Sequence, residues 1–334
     1  MLLPSDHASS QYIEQINQLI TDWKHKESFE MKTSGSTGKP KMVTHSKAAM
    51  THSARLTIDR FGLGEGDTFL VCLPVQFIAG MMMVARADVV KAGLLAITPS
   101  ANPLRYLKRK VDFAALTPLQ LEHAFTHNPE RIGLINQIII GGAPISKKLL
   151  SLIQSCKYET RFYHTYGMTE TITHIAIKEL RRMCYSDEFL GLPGIGLSIT
   201  DDNRLIIEGA HLTQSPIVTN DIVEATGTSS FRWIERADNV INSGGLKIYP
   251  AALEDQIDHL FDSEFFLTGL ADETFGQKLV LVIVDQRDQV DQHALKERLR
   301  AILPKNQIPK EIRKVDALLK TATGKVIKDL ERYK

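Results

Sequence analysis

Apolar residues follow two patterns along the chain, a helical spacing of three to four positions and short continuous runs. The first clear case of helical spacing lies in residues 11–23, with apolar side chains at Ile13, Ile16, Ile20 and Trp23. Polar residues fill most of the positions between them. This spacing predicts an amphipathic helix packed on a sheet.

Between residues 46 and 165, segments of helical pattern alternate with short apolar runs. Helices are predicted at 46–61 and, directly after Gly80, at 81–86. Strands are predicted at the apolar runs 68–74, 94–98, 113–116, 137–140 and 161–164. This alternation is typical of a layered α/β domain with a largely parallel sheet.

The pattern changes after residue 250. Helices are predicted at 252–261 and 293–303, and strands at 265–270, 279–285 and 312–315. This order favours a separate, compact α+β unit. We therefore expect an α/β protein with a large N-terminal layered α/β domain, residues 1–237, and a small α+β C-terminal domain, residues 238–334.

Composition and charge exclude several classes of partner. The 334 residues are 43% hydrophobic and 24% charged, which allows a sizeable core in two domains, with a third left open. The net charge of +1 provides no global basic field. Neither nucleic acid nor an anionic membrane is therefore expected as a partner.

Cysteine spacing and the N-terminal sequence bear on the compartment. Cys72, Cys156 and Cys184 lie far apart and form no Cys-x-x-Cys pair, which excludes a disulfide framework and offers no zinc site. The N-terminus has no basic region followed by an apolar one, and no apolar run approaches the roughly 18 residues that a membrane helix needs. We expect a cytoplasmic protein in a reducing compartment.

The run at 33–41, Thr-Ser-Gly-Ser-Thr-Gly-Lys-Pro-Lys, has the composition of a phosphate-binding loop. Its glycines, Gly35 and Gly38, let consecutive N–H groups turn toward one anion while hydroxyl and ammonium groups close over it. The P-loop of nucleoside triphosphatases needs Ser or Thr after its lysine, whereas Pro40 follows Lys39, so that motif is excluded. A flexible polar linker is the alternative that the run by itself leaves open.

Small and polar residues also follow two predicted strands. They are residues 141–144, Gly-Gly-Ala-Pro, and residues 165–171, Thr-Tyr-Gly-Met-Thr-Glu-Thr. Open α/β sheets bind ligands at the carboxyl ends of their strands, but ordinary turns have the same composition. The roles of two isolated charged residues are also left open. Asp221, at the end of a predicted strand, could be a turn residue, and Lys325 could be a solvated charge.

Taken in chain order, the stretches at 33–41, 141–144 and 165–171 and the segments around Asp221 and Lys325 resemble the motifs of the adenylate-forming superfamily. This superfamily comprises acyl-CoA synthetases, luciferases and the adenylation domains of peptide synthetases. Six motifs match between residue 33 and about residue 328. The last two are residues 233–250 and the run Leu-Lys-Thr-Ala-Thr-Gly-Lys at 319–325. Most members have a much longer segment before the first loop than the 32 residues present here, so a reduced first subdomain is expected.

The resemblance implies a site for ATP and Mg²⁺. Tyr166 would stack on adenine, Thr169 would meet the α-phosphate, and Glu170 would help to hold Mg²⁺, which prefers oxygen ligands. Asp221 would accept hydrogen bonds from both ribose hydroxyls. The implied ATP-binding residues are Thr33, Ser34, Gly35, Ser36, Thr37, Gly38, Lys41, Gly142, Ala143, Pro144, His164, Thr165, Tyr166, Gly167, Met168 and Asp221.

For the C-terminal part, the resemblance implies a mobile domain that turns at Asp238. Gly244 and Gly245 would line the path of the incoming thiol. Lys325 would bridge the attacking carboxylate and the α-phosphate, and Arg236 would contact ribose and phosphate, so that Lys325, Arg236 and Thr169 are the implied catalytic residues.

The chain departs from the family pattern at two positions. Asn220 and Glu235 each stand where the family usually has glycine. The role implied for Asp221 therefore rests on a backbone geometry that the motif does not settle. At Glu235 the sequence offers no explanation for the replacement.

Short chains of this kind, with Leu-Pro-Val-Gln-Phe-Ile-Ala-Gly at 73–80, resemble o-succinylbenzoate–CoA ligases of the menaquinone pathway. This implies a small carboxylic acid, ATP and coenzyme A as partners, with the acid near Phe77, Gly80 and Arg86. Arg86 would bind a second carboxylate, or else form a structural ion pair.

Other functions fit the same nucleotide motifs. A CoA ligase for another aromatic or fatty acid, and a stand-alone adenylation domain that loads a carrier protein, are both left open. A non-catalytic nucleotide-binding protein is disfavoured because Lys325 and Glu170 are present. A homo-oligomer is also left open.

Overall fold

The computed structural model describes residues 2–3, 7–32, 42–180, 186–212, 215–286, 288–320 and 326–333. The chain divides into two compact units. The first holds residues 1–197, 207–217 and 226–231, and the second holds 198–206, 218–225 and 232–334. A domain boundary between residues 237 and 238 stays a prediction. Among the described residues, no helix has the length and apolar character needed to cross a membrane.

The helices and strands below are numbered in chain order over the described residues. The helices are α1 (Ser10–His25), α2 (Lys47–Phe61), α3 (Ile78–Val90), α4 (Pro118–His127), α5 (Pro129–Ile132), α6 (Lys147–Gln154), α7 (Pro250–Ile257) and α8 (Gln292–Ile302). The strands are β1 (Leu2–Leu3), β2 (Ser28–Lys32), β3 (Met42–Ser46), β4 (Thr68–Val71), β5 (Gly93–Ala96), β6 (Val111–Leu116), β7 (Ile135–Ile140), β8 (Arg161–Gly167), β9 (His174–Glu179), β10 (Phe189–Gly191), β11 (Ile195–Ile199), β12 (Arg204–Gly209), β13 (Ile217–Gly227), β14 (Ser230–Arg236), β15 (Ile241–Ser243), β16 (Leu246–Ile248), β17 (Phe265–Asp272), β18 (Gly276–Val284) and β19 (Glu311–Val315).

The sheet of the first unit begins with parallel strands in the order β1-β5-β4-β6-β7-β8. Their side chains alternate between two covered faces. Leu70 and Ala114 belong to a buried cluster that includes residues of α4 and α6. Phe69 and Phe113 face the other way and contact each other, and Phe113 meets Phe61 of α2. Because both faces are buried, these strands are nearly continuous apolar runs, and the predicted layered α/β domain is confirmed.

Beyond β8 the sheet is antiparallel at the pairs β8/β9, β9/β10 and β10/β14, so the expectation of a largely parallel sheet holds only for the strands up to β8. The order continues through β13, β12 and β11, whose residues divide between the two units. The pair β2/β3 was also not predicted. Strands such as β12 alternate buried and partly exposed positions, and they lack the continuous apolar runs that identify the parallel strands.

In the second unit the strands are arranged in the order β16-β15-β18-β17, and β19 pairs in parallel with β18. Leu253 of α7 and Leu295 of α8 are buried against Leu281 on one face of this sheet. Phe266 and Leu330 belong to the buried cluster of the other face. The predicted α+β unit is confirmed, with a helix, two strands, a second helix and a short strand in the expected order.

The helices of the first unit agree with the apolar spacing. In α1, Ile16 and Trp23 are buried as predicted, and the Tyr12 hydroxyl donates to the Leu73 carbonyl at 2.7 Å. The helix predicted from residue 46 begins one residue later, because the Ser46 side chain caps it by accepting a hydrogen bond from the Ala49 N–H at 3.1 Å.

Gly80 permits a close approach between α3 and the segment that follows β4. The helix begins at Ile78, before the glycine rather than after it. A Cβ built on Gly80 would lie 2.5 Å from the Pro74 carbonyl oxygen and 2.8 Å from that of Leu73. Because both obstacles are backbone atoms, no rotamer change would relieve the contact. Gly80 therefore sets the distance between the helix and this segment.

Gly80→Ala should destabilise the protein by about 1–3 kcal/mol, the usual range for overpacking a well-packed site. Urea unfolding of the purified chain measures this directly. The matched control is Gly64→Ala, because a Cβ on Gly64 meets no atom within 4 Å. That control should stay within about 0.5 kcal/mol of the wild type. Equal unfolding midpoints for the two variants would contradict the packing role.

Candidate active site

Two of the predicted loops fall outside the described residues, and each has described segments on both sides. Thr33, Ser34, Gly35, Ser36, Thr37, Gly38 and Lys41 belong to the first loop, and Lys325 belongs to the second. Lys32 and Met42, which flank the first loop, are directly paired in the β2/β3 pair. Lys320 and Val326, which flank the second, form an antiparallel bridge. The roles predicted for the loop residues stay predictions.

His45 of β3 connects the first loop's flanking strand with the turn that follows β8. Its Nε2 lies 2.6 Å from the Thr169 carbonyl oxygen, and the ring is buried. A carbonyl can only accept, so Nε2 carries the proton and donates. Burial lowers the pKa of His45, partly opposed by this hydrogen bond and by the charge of Glu170. The bond brings together two predicted motifs that lie far apart in the sequence.

The ends of β7 and β8 form a surface of small and polar groups. Gly142 is exposed with φ +86°, and a Cβ there would meet no atom within 4 Å. The Thr165 hydroxyl donates to the Ile140 carbonyl at 3.0 Å and joins the two strands. His164 is hydrogen-bonded to the Ala143 backbone, and burial lowers its pKa to about 3, so its imidazole is neutral. A flat ligand can therefore approach the backbone of this strand end.

Tyr166 is held at its edge by two aromatic rings. Phe231 lies edge-on at 5.1 Å between ring centroids, and Phe189 is tilted at 5.8 Å. The pairing of β8 with β9 is irregular between Tyr166 and Gly167. A Cβ on Gly167 would collide with the Thr173 carbonyl oxygen, so only glycine fits there. These contacts orient a half-buried ring that is suited to stacking.

The turn from Met168 to Thr173 is braced from inside and strained. The buried Thr171 hydroxyl accepts from the Met168 N–H at 2.9 Å and lies 2.8 Å from the Thr173 carbonyl oxygen. Ile172 has φ +67° and ψ −58°, the dihedral angles of a γ-turn that a β-branched residue rarely adopts. Strain of this kind collects at functional sites. The hydrogen bonds of Thr171 and the dihedral angles of Ile172 together hold the backbone of Thr169 and Glu170 in place.

Glu170 fits the role of a magnesium ligand. It is half-buried, and no described residue forms an ion pair with it. Over the described ranges, no group of three or more His, Cys, Asp or Glu side chains could hold a metal by itself. Mg²⁺ commonly takes one or two carboxylates and completes its shell with waters and substrate phosphates. A single available carboxylate beside a predicted phosphate site suits that chemistry.

Arg86 of α3 is a buried cation without a carboxylate partner among the described residues. Only 1% of its surface is exposed, and burial lowers its pKa to about 9. One terminal nitrogen donates to the Thr173 hydroxyl at 2.5 Å, another contacts the Met83 sulfur, and Nε has no partner in the described part of the chain. The structural ion pair considered as an alternative is therefore not seen. Phe77 lies half-buried at the start of the same helix.

In the second unit, Asp221 forms a polar group with Trp233 and Arg236. The indole Nε1 donates to Asp221 Oδ1 at 3.2 Å, and an Arg236 terminal nitrogen lies 3.6 Å from the same oxygen. The prediction that Asp221 ends a strand is wrong, because β13 continues to Gly227. The glycine usual before this aspartate is not needed for such an arrangement, since Asn220 and Asp221 are ordinary strand residues here.

Glu235 is buried just before the predicted hinge residue. Its Oε1 accepts from the Arg236 N–H at 2.8 Å and from Asn239 Nδ2 at 3.0 Å, and its Oε2 accepts from the Ala251 N–H at 2.8 Å. Asp238 itself is exposed and lies 4.0 Å from Arg236. The buried carboxylate thus has three hydrogen-bond donors around it.

Gly244 and Gly245 form the two-residue turn of the β15/β16 hairpin. Ser243 pairs directly with Leu246, and both glycines have positive φ, +59° and +80°. Two-residue hairpin turns with positive φ at both positions match the strand twist and favour glycine or asparagine. The glycines are thus explained by the turn, and their role in a thiol path stays a prediction.

Several residues with contacts to predicted site residues were missed from the sequence, among them His45, Thr173 and Trp233. Each is distant in the sequence from the residue that it contacts. His45 and Thr173 stand next to recognisable motifs, which is the only signal that could have drawn attention to them. No spacing rule could have paired Trp233 with Asp221, because the length of the connecting hairpin decides which residues face each other.

A family model described as AMP-binding enzyme matches residues 21–210. The 2-succinylbenzoate–CoA ligase of Listeria monocytogenes is 27% identical over 325 residues, covering 89% of this chain and 68% of the relative. A probable 2-succinylbenzoate–CoA ligase of Mycobacterium tuberculosis is 28% identical, covering 88% of this chain and 81% of the relative. The chain thus spans about two thirds to four fifths of the length of these relatives.

Solved structures show the same fold. An acyl-CoA synthetase (AMP-forming)/AMP-acid ligase II-like protein from Dyadobacter fermentans has a TM-score of 0.65 and 34% identity, covering 97% of this chain and 94% of that one. The o-succinylbenzoate coenzyme A synthetase from Bacillus subtilis, in complex with ATP and magnesium ion, has a TM-score of 0.76 at 22% identity, covering 89% and 68%. The family match covers more than half of the chain, and the Dyadobacter protein has a similar length. The chain therefore belongs to the AMP-binding enzyme family.

Proposed function

We propose that this protein is an ATP-dependent acid–CoA ligase, and that its acid is o-succinylbenzoate, as in menaquinone biosynthesis. A carboxylate oxygen of the acid attacks the α-phosphorus of ATP, and pyrophosphate leaves. The thiolate of coenzyme A then attacks the acyl carbon, the carbon–oxygen bond to AMP breaks, and a thioester and AMP are released. ATP, Mg²⁺ and coenzyme A are the implied cofactors.

The hydrogen bond between His45 and the Thr169 carbonyl supports this proposal most directly. It joins the strand leaving the predicted phosphate loop to the turn that carries Thr169 and Glu170. Adenylation needs the same juxtaposition, because groups around the β- and γ-phosphates must act together with those at the α-phosphate. Such positioned charges and donors are the main source of catalysis in phosphoryl transfer. Bound Mg²⁺, held through Glu170, would neutralise phosphate charge.

The choice of o-succinylbenzoate rests on Arg86 together with the named relatives. A buried guanidinium with an unpaired Nε and no described carboxylate partner is unfavourable unless an anion completes its environment. o-Succinylbenzoate has two carboxylates, so one remains charged after the other is activated. Several relatives are named as ligases for this acid. A ligase for a monoanionic aromatic or fatty acid would leave Arg86 without a carboxylate partner, as far as the described residues go.

Two further points belong to the same proposal. Coenzyme A is preferred over a carrier protein as the thiol because the relatives are named as CoA ligases. A cytoplasmic location belongs to the same proposal, because the three cysteines of the sequence lie far apart and form no Cys-x-x-Cys pair. Whether the enzyme forms a homo-oligomer is independent of this chemistry.

The proposed function is tested by acid-dependent pyrophosphate release. Purified protein with ATP and Mg²⁺ should release pyrophosphate with o-succinylbenzoate and form a thioester when coenzyme A is added. The panel should include benzoate, hexanoate and 4-oxo-4-phenylbutanoate, which lacks one of the two carboxylates of o-succinylbenzoate. Faster turnover of a monoacid would favour the alternative ligase. Release of pyrophosphate with transfer only to a carrier protein would favour the adenylation domain.

Arg86→Ala should raise the KM for o-succinylbenzoate about ten- to a hundredfold, because losing a charged hydrogen bond typically costs roughly 1.5–3 kcal/mol. The KM for ATP should stay unchanged, since Arg86 is not among the residues predicted to bind ATP. Steady-state pyrophosphate release at varied acid and varied ATP measures both constants.

The control for Arg86 uses 4-oxo-4-phenylbutanoate as a second substrate. Its kcat/KM should be nearly the same in the wild type and in Arg86→Ala, so that the preference for the dianion collapses. Arg86→Lys keeps the positive charge but loses the planar guanidinium group. Its preference for o-succinylbenzoate should therefore lie between those of the wild type and Arg86→Ala. An equal loss for both acids would show that Arg86 is only structural.

Lys325→Ala and Gly245→Leu should separate the two half-reactions. Lys325→Ala should lose adenylation by roughly 10²–10³-fold, as expected for a group that stabilises transition-state charge, yet still convert supplied acyl adenylate to thioester. Gly245→Leu should adenylate normally and stall with bound intermediate, because a side chain would enter the thiol path. Pyrophosphate release and AMP release from synthetic acyl adenylate measure the two steps.

Backbone strain has its own control in this experiment. Gly194 has φ +77° and open space around it, as Gly245 does, but it carries no predicted site role. Gly194→Leu should therefore lower stability to a similar degree and leave both half-reactions intact. Gly245→Asn keeps the turn and should retain more thioester formation than Gly245→Leu. Loss of both steps in each of the two main variants would contradict the assignment of two separate loops.

A further inference from the structure

A chain of polar side chains runs from Arg86 of α3 to the backbone of α2. An Arg86 terminal nitrogen donates to the Thr173 hydroxyl at 2.5 Å, and Thr173 Oγ1 lies 3.4 Å from His174 Nδ1. On the other side of the imidazole ring, Nε2 lies 3.3 Å from Thr57 Oγ1, which lies 3.4 Å from the Ser53 carbonyl oxygen. These four contacts join α3, the start of β9 and α2, all within the first unit.

The members of this chain have little access to water. His174 and Thr57 are buried, as Arg86 is, and Thr173 is half-buried. Thr57 lies on the face of α2 that also carries Phe61, whose ring meets His174 edge-on at 6.3 Å between centroids. Because a buried polar group without a partner is costly, each hydrogen of the chain needs an acceptor inside the protein.

Hydrogen-bonding capacity fixes the direction of the chain at both ends. A guanidinium can only donate, so the Thr173 oxygen accepts from Arg86 and its own hydrogen is available to His174 Nδ1. The Ser53 carbonyl can only accept, so it takes the hydrogen of Thr57, whose oxygen then accepts from His174 Nε2. Both ends are satisfied by one tautomer, a neutral imidazole with its proton on Nε2.

The opposite tautomer leaves a donor unused. With the proton on Nδ1, the Thr173 hydroxyl hydrogen would have no acceptor within the described part of the chain. Burial and, after it, the positive charge of Arg86 hold the pKa of His174 well below its ordinary value. The ring is therefore neutral, and it can accept at one nitrogen while it donates from the other.

Thr173 connects this chain with the turn that carries Glu170. Its carbonyl oxygen lies 2.8 Å from the Thr171 hydroxyl inside that turn, while its own hydroxyl accepts from Arg86. A hydroxyl can rotate, so the oxygen faces the guanidinium only while its hydrogen is held on the other side. His174 supplies the acceptor that holds it there. One edge of the guanidinium is thus fixed, and Nε has no partner among the described residues.

We propose that His174 and Thr57 are positioning residues that act through the Thr173 hydroxyl and hold Arg86 for an acid with a second carboxylate. This inference rests on the proposed function, in which Arg86 binds that carboxylate. Hydrogen bonds between a guanidinium and a carboxylate depend on the geometry of the planar group. Loosening the chain should therefore weaken the response to the dianionic acid and leave the monoacid unaffected.

The first test removes the Thr57 hydroxyl with little change in size. Thr57→Val should raise the KM for o-succinylbenzoate about three- to tenfold, the range expected for one net hydrogen bond. The kcat/KM for 4-oxo-4-phenylbutanoate and the KM for ATP should stay within about twofold. Thr57→Ser keeps the hydroxyl and should behave like the wild type. Pyrophosphate release at varied acid and varied ATP measures these constants.

A second buried threonine provides the matched control. The Thr160 hydroxyl donates to the Ile132 carbonyl at 2.9 Å and has no recorded contact with Arg86. Thr160→Val should therefore leave the preference between the two acids unchanged, even where it lowers stability. An equal loss for both acids in Thr57→Val would overturn the proposal and assign Thr57 to general stability. An unchanged KM for o-succinylbenzoate in Thr57→Val would also overturn it.

A double variant shows whether the effect passes through Arg86. In an Arg86→Ala background, Thr57→Val should change the KM for o-succinylbenzoate by less than about twofold, because changes along one connected network are not additive. A further three- to tenfold loss in that background would mean that Thr57 affects the acid by another route. That result would contradict the positioning role.

The tautomer of His174 gives a readout that needs no substrate. Nitrogen NMR of protein with isotope-labelled histidine, with the signal assigned by its loss in His174→Asn, should show a protonated Nε2 and an unprotonated Nδ1. In Thr57→Val, Nε2 loses its acceptor, and the proton should move at least partly to Nδ1. A proton on Nδ1 in the wild type would overturn the proposal.

Failure of the proposed function can be told apart from failure of this inference. If the wild type activates no acid, the proposed function fails. Calorimetric binding of o-succinylbenzoate and 4-oxo-4-phenylbutanoate without ATP then still measures the preference for the dianion. Loss of that preference in both Thr57→Val and Arg86→Ala would support the positioning role, and its retention in Thr57→Val would overturn it.

Discussion

The site of the first unit depends on the hydrogen bond from the His45 ring to the Thr169 carbonyl. It joins strand β3 to a turn 124 residues later in the sequence. The neutral, buried imidazole tolerates this position because its proton has a defined acceptor. The polypeptide on either side then has little freedom: β3 leads back to the predicted phosphate loop, and the turn presents Thr169 and Glu170.

Backbone constraints do much of the positioning around this contact. Gly167 leaves no room for a side chain, and Ile172 is held in a dihedral region that costs energy for a β-branched residue. Thr171 satisfies the polar backbone groups inside the same turn. The residue types at 165–171 are therefore required by the backbone geometry of this turn as well as by the chemistry predicted for it. The hairpin at Gly244 and Gly245 shows the same combination in the second unit.

Two buried ionisable side chains, Glu235 and Arg86, have opposite hydrogen-bonding environments. Glu235 is surrounded by three neutral donors, and its charge is satisfied within the second unit. Arg86 has a hydroxyl, a thioether and an unpaired Nε, and it has no described carboxylate nearby. In the first arrangement, donors within the same unit compensate the buried carboxylate. The second leaves an incomplete environment that an anionic ligand would complete.

The sequence by itself determined the fold class, most helices and most of the parallel strands. These follow from local rules, since apolar period and turn composition act over a few residues, as the apolar run 113–116 and the cap at Ser46 show. Only the tertiary structure decided the antiparallel half of the sheet, the place of Asp221 within a strand, and the contacts of His45, Trp233 and Glu235. Each of these depends on which distant backbone atoms meet. That is set by strand register and by the burial of polar groups, which no short stretch of sequence contains.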